Sequence, residues 1–94
     1  MRMLMAVVDN RRKEELELVL QKMGVTGWTE IPHVRGLGSS GPRLESAAYP
    51  ESSAIIQVLV PDDQVESLVE RLLGYCAECR QHIKLLHWEV TVVM

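Results

Sequence analysis

The sequence has 94 residues and carries 10 Lys and Arg against 13 Asp and Glu, a formal net charge of −3. A chain this short buries one modest core, so we expect a single domain over residues 1–94. No basic block is present that could neutralise a row of phosphates, which argues against a nucleic-acid partner. No apolar run approaches the roughly 20 residues of a membrane span, so we expect a cytoplasmic protein that does not cross a membrane.

The first part of the chain predicts a strand, a helix and a second strand. Met1–Val8 is apolar at nearly every position, which is typical of a central strand covered on both faces. Arg11–Met23 repeats Leu, Val and Met at the spacing of one helical face, and Gly24 provides a stop. Val25–Val34 mixes β-branched residues with a glycine and a proline, which indicates an irregular or edge strand.

A segment rich in glycine, serine and proline follows at residues 35–53 and predicts a long loop. Long loops in small domains are commonly functional, so this segment is the first candidate for a site. After it, Ala54–Val60 predicts a third strand that ends at Pro61. A second helix is expected to about Arg80, and Ile83–Val93 predicts a last strand.

This order of elements predicts an α+β fold of the ferredoxin-like β-α-β-β-α-β type, with a four-stranded antiparallel sheet and two helices on one face. The other face of the sheet is then bare. Because the first and third strands are apolar on both sides, that bare face needs cover, and self-association provides it in so short a chain. The sequence therefore predicts an oligomer.

Three motifs, in order along the chain, resemble the nitrogen regulatory PII family and its PII-like relatives. They are GVTGWT at Gly24–Thr29, VRGLG at Val34–Gly38 and VLVPDDQVE at Val58–Glu66. The resemblance covers roughly residues 1–80 and implies a homotrimer that binds a small molecule, typically an adenine nucleotide, in clefts between subunits. It also implies that the 35–53 segment signals to a partner protein such as a transporter or an enzyme.

The resemblance further implies where the ligand is bound. The backbone of the glycine motif would approach the adenine and phosphates, the third strand would supply backbone contacts, and two arginines carry charge suited to phosphate. The expected ligand-binding residues are Arg35, Gly36, Leu37, Gly38, Ser39, Arg43 and Leu59. The family's glycine- and lysine-containing loop after the second helix is replaced by Cys76–Lys84, which favours a PII-like relative whose nucleotide lacks a γ-phosphate.

Cysteine and histidine near the end of the chain leave a second hypothesis open. Cys76, Cys79, His82 and His87 follow a C-x2-C-x2-H-x4-H pattern whose soft ligands suit a transition metal. The alternative is that the two cysteines continue the buried stripe of the second helix. For His33 and Ser39 the sequence shows no matching catalytic partners, so we expect no enzymatic activity.

Overall fold

A computed structural model describes residues 1–39, 41–74 and 83–94 of the chain. Its regular elements, numbered in chain order, contain six strands and two α-helices within these residues. They are β1 (Arg2–Asp9), α1 (Lys13–Lys22), β2 (Thr29–Val34), β3 (Gly36–Gly38), β4 (Gly41–Arg43), β5 (Ser53–Val60), α2 (Val65–Gly74) and β6 (Lys84–Glu89), with a 3-10 turn at Asn10–Arg12 before α1.

The main sheet has four strands in the order β2-β5-β1-β6, and every neighbouring pair is antiparallel. The central strands β1 and β5 pair along their whole length, from Arg2 opposite Val60 to Asp9 opposite Ser53. This is the predicted ferredoxin-like β-α-β-β-α-β arrangement. The predicted fold class is confirmed.

One face of the sheet packs on the two helices and forms the core. Alternate residues of β1 and β5 are buried there against the inner faces of α1 and α2, because strand side chains point to opposite faces with a period of two. The most deeply buried large side chains are Leu4, Leu16, Leu20, Ile56 and Leu72.

The opposite side, which we call the open face, is apolar and is not covered by the described residues. Met3, Met5 and Val7 of β1 lie on it half-buried. The large apolar side chains on this face that remain more than a third exposed are Ile31, Leu59, Leu86 and Trp88. Within residues 1–39, 41–74 and 83–94, the predicted bare apolar face is present.

Two strands are shorter than their sequence patterns. Strand β2 begins at Thr29 rather than at Val25, because the chain after α1 first turns back: Gly24 adopts a φ of 85° and the Val25 amide donates to the Leu20 carbonyl. Strand β6 ends at Glu89, which pairs with Arg2, the first residue of β1. One further hydrogen bond follows, from the Val90 amide to the Met1 carbonyl.

Strand β2 is an edge strand, as predicted, and it is irregular. Its register against β5 shifts between Ile31 and Val34, where Pro32 has no amide proton to donate. His33 adopts a φ of 56° at this bulge, and the Asn10 side chain accepts its amide proton at 3.0 Å.

The 35–53 segment leaves the sheet as predicted, but it is not structureless. Strands β3 and β4 form a small antiparallel hairpin, in which Gly41 has a φ of 100° that favours glycine. A turn then follows, held by the Ser46 amide bonded to the Tyr49 carbonyl and by the Glu45 amide bonded to the Glu51 carbonyl. The segment is thus ordered by its own backbone hydrogen bonds, whereas its composition indicates a long loop without regular structure. The second helix is described only to Gly74, so its predicted extension to Arg80 lies outside the described residues.

Candidate functional site

A cleft of about 490 Å³ lies at the end of the sheet where β5 runs into α2. One wall is the connection from α1 to β2, which carries the GVTG sequence. The other is the end of β5 with the first turns of α2. The lining residues are Met23, Gly24, Val25, Thr26, Gly27, Val58, Leu59, Val60, Pro61, Asp63, Gln64, Ser67 and Leu68.

Local sequence explains both walls. The left-handed Gly24 ends α1 and redirects the chain so that Val25 packs against the core. At the other wall Pro61 ends β5, and its carbonyl accepts a hydrogen bond from the Gln64 amide at 3.0 Å, which starts the turn into α2. The two motifs of the sequence analysis thus come together here.

The cleft suits the base and sugar of a nucleotide better than its phosphates. Its volume lies within the range of small-molecule sites, and its valine and leucine side chains offer apolar surface to a planar ring. Thr26, Gln64 and Ser67 contribute polar groups at the lining. Among the described residues that line the cleft, Asp63 is the charged one, and a carboxylate repels phosphate.

The structure places the predicted ligand-binding residues in two groups. Leu59 lines the cleft and is 45% exposed. Gly36, Leu37 and Gly38 form β3, and Ser39 follows them directly. These glycine-motif residues come after Val34, which pairs with Ser53 at the opposite end of β5.

The distance between the two groups is set by β5 itself. Ser53 and Leu59 are six positions apart on one strand, which corresponds to about 20 Å at the rise of an extended chain. A single subunit therefore does not bring the glycine motif to its own cleft.

Both predicted phosphate-binding arginines make contacts within the chain. The Arg35 Nε donates to the Leu44 carbonyl at 2.8 Å, across the base of the β3–β4 hairpin. The Arg43 guanidinium donates to the Asp9 carboxylate at 2.8 Å, to the Ser52 carbonyl at 2.9 Å and to the Ser53 hydroxyl at 3.1 Å. The phosphate-binding role of these arginines stays a prediction.

The Asp9 carboxylate shows how strongly this region is charged. Burial by itself would raise its pKa, but hydrogen bonds from the side chain and amide of Arg11 and from Arg43 outweigh burial and lower the pKa well below its usual range. Asp9 also accepts the Arg11 amide proton at 2.9 Å and so caps the turn before α1, as its position in the sequence indicates.

The metal hypothesis rests mostly on residues that the structure does not describe. Cys76, Cys79 and His82 lie outside the described residues. His87 lies on β6, where its Nδ1 accepts from the Arg2 guanidinium at 2.9 and 3.1 Å. Within residues 1–39, 41–74 and 83–94 no group of three or more potential metal ligands occurs. The metal site stays a prediction.

The cleft contains residues that the sequence analysis did not assign to the ligand. The GVTG motif at Gly24–Gly27 supported the family resemblance, but its residues were not assigned to the ligand. Gln64 and Ser67 carry no local signal, because only the turn at Pro61 brings the first turns of α2 to the cleft.

Comparisons with known proteins identify a family and a shared fold. Residues 1–84 match the model of the nitrogen regulatory protein P-II family. Two similar structures are both of CPII, a nitrogen regulatory PII-like protein from Thiomonas intermedia K12, bound to ADP, AMP and bicarbonate. One is 24% identical with a TM-score of 0.67, covering 95% of this chain and 86% of its own. The other is 22% identical with a TM-score of 0.69, covering 96% and 93%.

At these identities the structural similarity shows the shared fold. A comparison with curated proteins gives no match. In the part of the chain that the structure describes, no helix is long and apolar enough to cross a membrane.

Proposed function

Because this chain belongs to the nitrogen regulatory protein P-II family, whose model it matches over residues 1–84, we propose that it forms a homotrimer that binds an adenine nucleotide between subunits. The bound nucleotide changes the 35–53 segment, and that segment then engages or releases a partner protein. The chain acts in this proposal as a regulator and not as an enzyme.

The observation that carries the proposal is the separation of the two halves of the site. The apolar cleft lies at one end of β5, and the glycine motif follows Val34 at the other end, about 20 Å along the strand. Each subunit thus supplies a cleft without its glycine motif and a glycine motif without its cleft. A neighbouring copy, rotated by the symmetry of a closed ring, unites the two.

The open face supports the same assembly. It presents exposed Ile31, Leu59, Leu86 and Trp88 on one side of the sheet, and contiguous apolar surface of this kind marks interfaces. Leu59 belongs both to the open face and to the cleft lining, so association through this face brings a neighbour to the cleft.

The chemistry of each half of the site indicates which part of the nucleotide each subunit binds. The cleft holds the base and ribose, because its lining is apolar with neutral polar groups and a carboxylate. The phosphates are then directed to the neighbour's Gly36–Ser39 backbone and Arg35. The related CPII structures contain ADP and AMP, which is consistent with an adenine nucleotide as ligand.

Isothermal titration with AMP, ADP, ATP and cyclic AMP tests the proposal, with a variant that fills the cleft. Ser67→Trp places a large side chain at an exposed helix position that lines the cleft, and Glu66→Trp is the matched control on the neighbouring exposed position. We expect saturable binding by the wild type and the control, and at least about tenfold weaker binding by Ser67→Trp. Binding of none of the four nucleotides, or equal binding by both variants, would contradict the proposal.

A further inference from the structure

Four charged side chains form a closed ring of alternating sign where the 35–53 segment rejoins the sheet. Around this charge ring, Asp9 contacts Arg11 at 3.1 Å, Arg11 contacts Glu51 at 2.8 Å, Glu51 lies 3.8 Å from Arg43, and Arg43 contacts Asp9 at 2.8 Å. Each carboxylate therefore lies between two guanidinium groups. The ring has no net charge.

The charge ring joins parts of the chain that are distant in sequence. Asp9 ends β1, Arg11 belongs to the following turn, Arg43 ends β4, and Glu51 lies just before β5. Arg43 adds a bond to the buried Ser52 through its carbonyl at 2.9 Å. The return end of the segment is thus bonded to the body of the sheet by side chains as well as by backbone.

The inner half of the charge ring is sheltered from water. The side chains of Asp9 and Arg43 are 10% and 18% exposed, whereas that of Arg11 is 73% exposed. Ion pairs that water barely reaches are screened little by salt, and removing one partner leaves a buried charge uncompensated. The Asp9–Arg43 contact is therefore the best sheltered ion pair in the ring.

The hairpin at the other end of the segment has a different environment. All three residues of β3 are exposed, and Leu37 is 80% exposed at its centre. The hairpin pairs with itself through β4 and is fastened at its base by the bond from Arg35 to the Leu44 carbonyl. Local stability in proteins follows buried contacts, so the hairpin opens at lower free energy than the ring-bound end.

We propose that the charge ring divides the 35–53 segment into a fixed base, residues 43–53, and a movable outer part of the β3–β4 hairpin that ends at Pro42. In this arrangement Arg43 holds the base of the segment and does not bind phosphate. The response of the hairpin to a ligand rests on the proposed function, whereas the fixed base is a property of the free protein.

Hydrogen exchange of the free protein tests the fixed base. In the wild type the amides of Asn10, Glu45 and Ser46 are bonded to carbonyls of the base, at 3.1, 3.0 and 2.9 Å, and we expect them to be protected. Arg43→Gln and the milder Glu51→Gln should each speed exchange at Glu45 and Ser46 by about tenfold or more, since each breaks charged bonds of the ring. The matched control is Glu15→Gln, which removes a 3.7 Å pair with Arg12 on the surface of α1 and should leave these amides unchanged.

Exchange in β1 and β5 serves as the internal control, because unchanged protection there shows that each variant is folded. Equal exchange of the base in the wild type and in both ring variants would overturn the proposal. So would fast, unprotected exchange of Glu45 and Ser46 in the wild type.

Addition of ADP to the wild type then tests the movable hairpin. We expect protection to change at Gly36–Gly38 and to stay constant over residues 44–52; a change of equal size in both halves would overturn the division. ADP affinity that falls at least tenfold in Arg43→Gln and stays unchanged in Glu51→Gln would instead assign Arg43 to the phosphate. If no nucleotide binds, the proposed function fails while the ligand-free exchange still decides the fixed base.

Discussion

Replacing Leu86 by Glu should dissociate the proposed trimer, because Leu86 lies on the open face opposite Met5 of β1. Leu86 is 37% exposed in the single chain, so an interface that covers it recovers about 1 kcal/mol of the 1.5–3 kcal/mol that full burial of leucine contributes. An ionised carboxylate in that interface also loses its hydration, at a cost of about 2 kcal/mol or more. The sum is about 3 kcal/mol per subunit and about 9 kcal/mol for a trimer, or roughly six orders of magnitude in the association constant.

Analytical ultracentrifugation between about 1 and 100 μM measures this effect directly. We expect a trimer for the wild type and a monomer for Leu86→Glu over this range. The matched control is Leu18→Glu, the same change at a 50% exposed leucine of α1 that lies away from the open face, and it should remain trimeric. A monomeric wild type, or a trimeric Leu86→Glu variant that retains the wild-type circular dichroism, would refute the assignment of the open face as the interface.

Three further changes test the charges and the core. The folded-state pKa of Asp9 is lowered, so its ionised form stabilises the fold above the unfolded pKa of about 4. Asp9→Asn should therefore lower the free energy of unfolding at pH 7 by about 1–3 kcal/mol in urea denaturation. A difference from wild type that does not shrink towards pH 2 would contradict this. Burial and then the neighbouring Glu30 carboxylate raise the pKa of Glu17, so its ionised form is disfavoured in the fold. Glu17→Gln, which keeps an acceptor for the Trp28 Nε1, should therefore raise the urea midpoint at pH 7 by an amount equivalent to about 0.5 kcal/mol after solvent screening. The gain should shrink as the pH falls through the folded pKa and vanish below the unfolded pKa of about 4, and a lower midpoint at pH 7 would count against it. Leu20→Ala empties a fully buried position of α1 and should lower the free energy of unfolding by about 3 kcal/mol, and a loss below about 1 kcal/mol would show that the core closes around the gap.

Hydrophobic pattern alone predicted the layers of this fold. The apolar run of β1 indicated a central strand that needs cover on both faces, and the structure has β1 between β5 and β6, with the helices on one face and the open face on the other. The helical repeat around Leu16 and Leu20 identified the inner face of α1. These features are local, because each depends on residues within one element.

Features that depend on distant pairs were not predictable in this way. Asp9 and Arg43 are 34 positions apart; the place of Asp9 just before α1 indicates a helix cap, and the sequence analysis assigned Arg43 to the phosphates. Both are plausible from local sequence, yet the buried contact between them forms only when β1 and β5 are paired. The β3–β4 hairpin was missed for a related reason: glycine and serine indicate a flexible loop, whereas the backbone bonds around Gly41 depend on a register that composition does not specify.

The candidate site depends both on local motifs and on contacts between distant parts of the chain, and it links assembly to function. Motifs placed Leu59 and the Gly36–Ser39 backbone at one ligand, and the structure places them at opposite ends of β5. If a neighbouring copy closes the site, the Leu86→Glu variant loses nucleotide binding together with its assembly, although Leu86 itself does not line the cleft. A folded, monomeric Leu86→Glu protein that binds nucleotide with wild-type affinity would place the whole site within one subunit and would remove the reason for assembly that the geometry supplies.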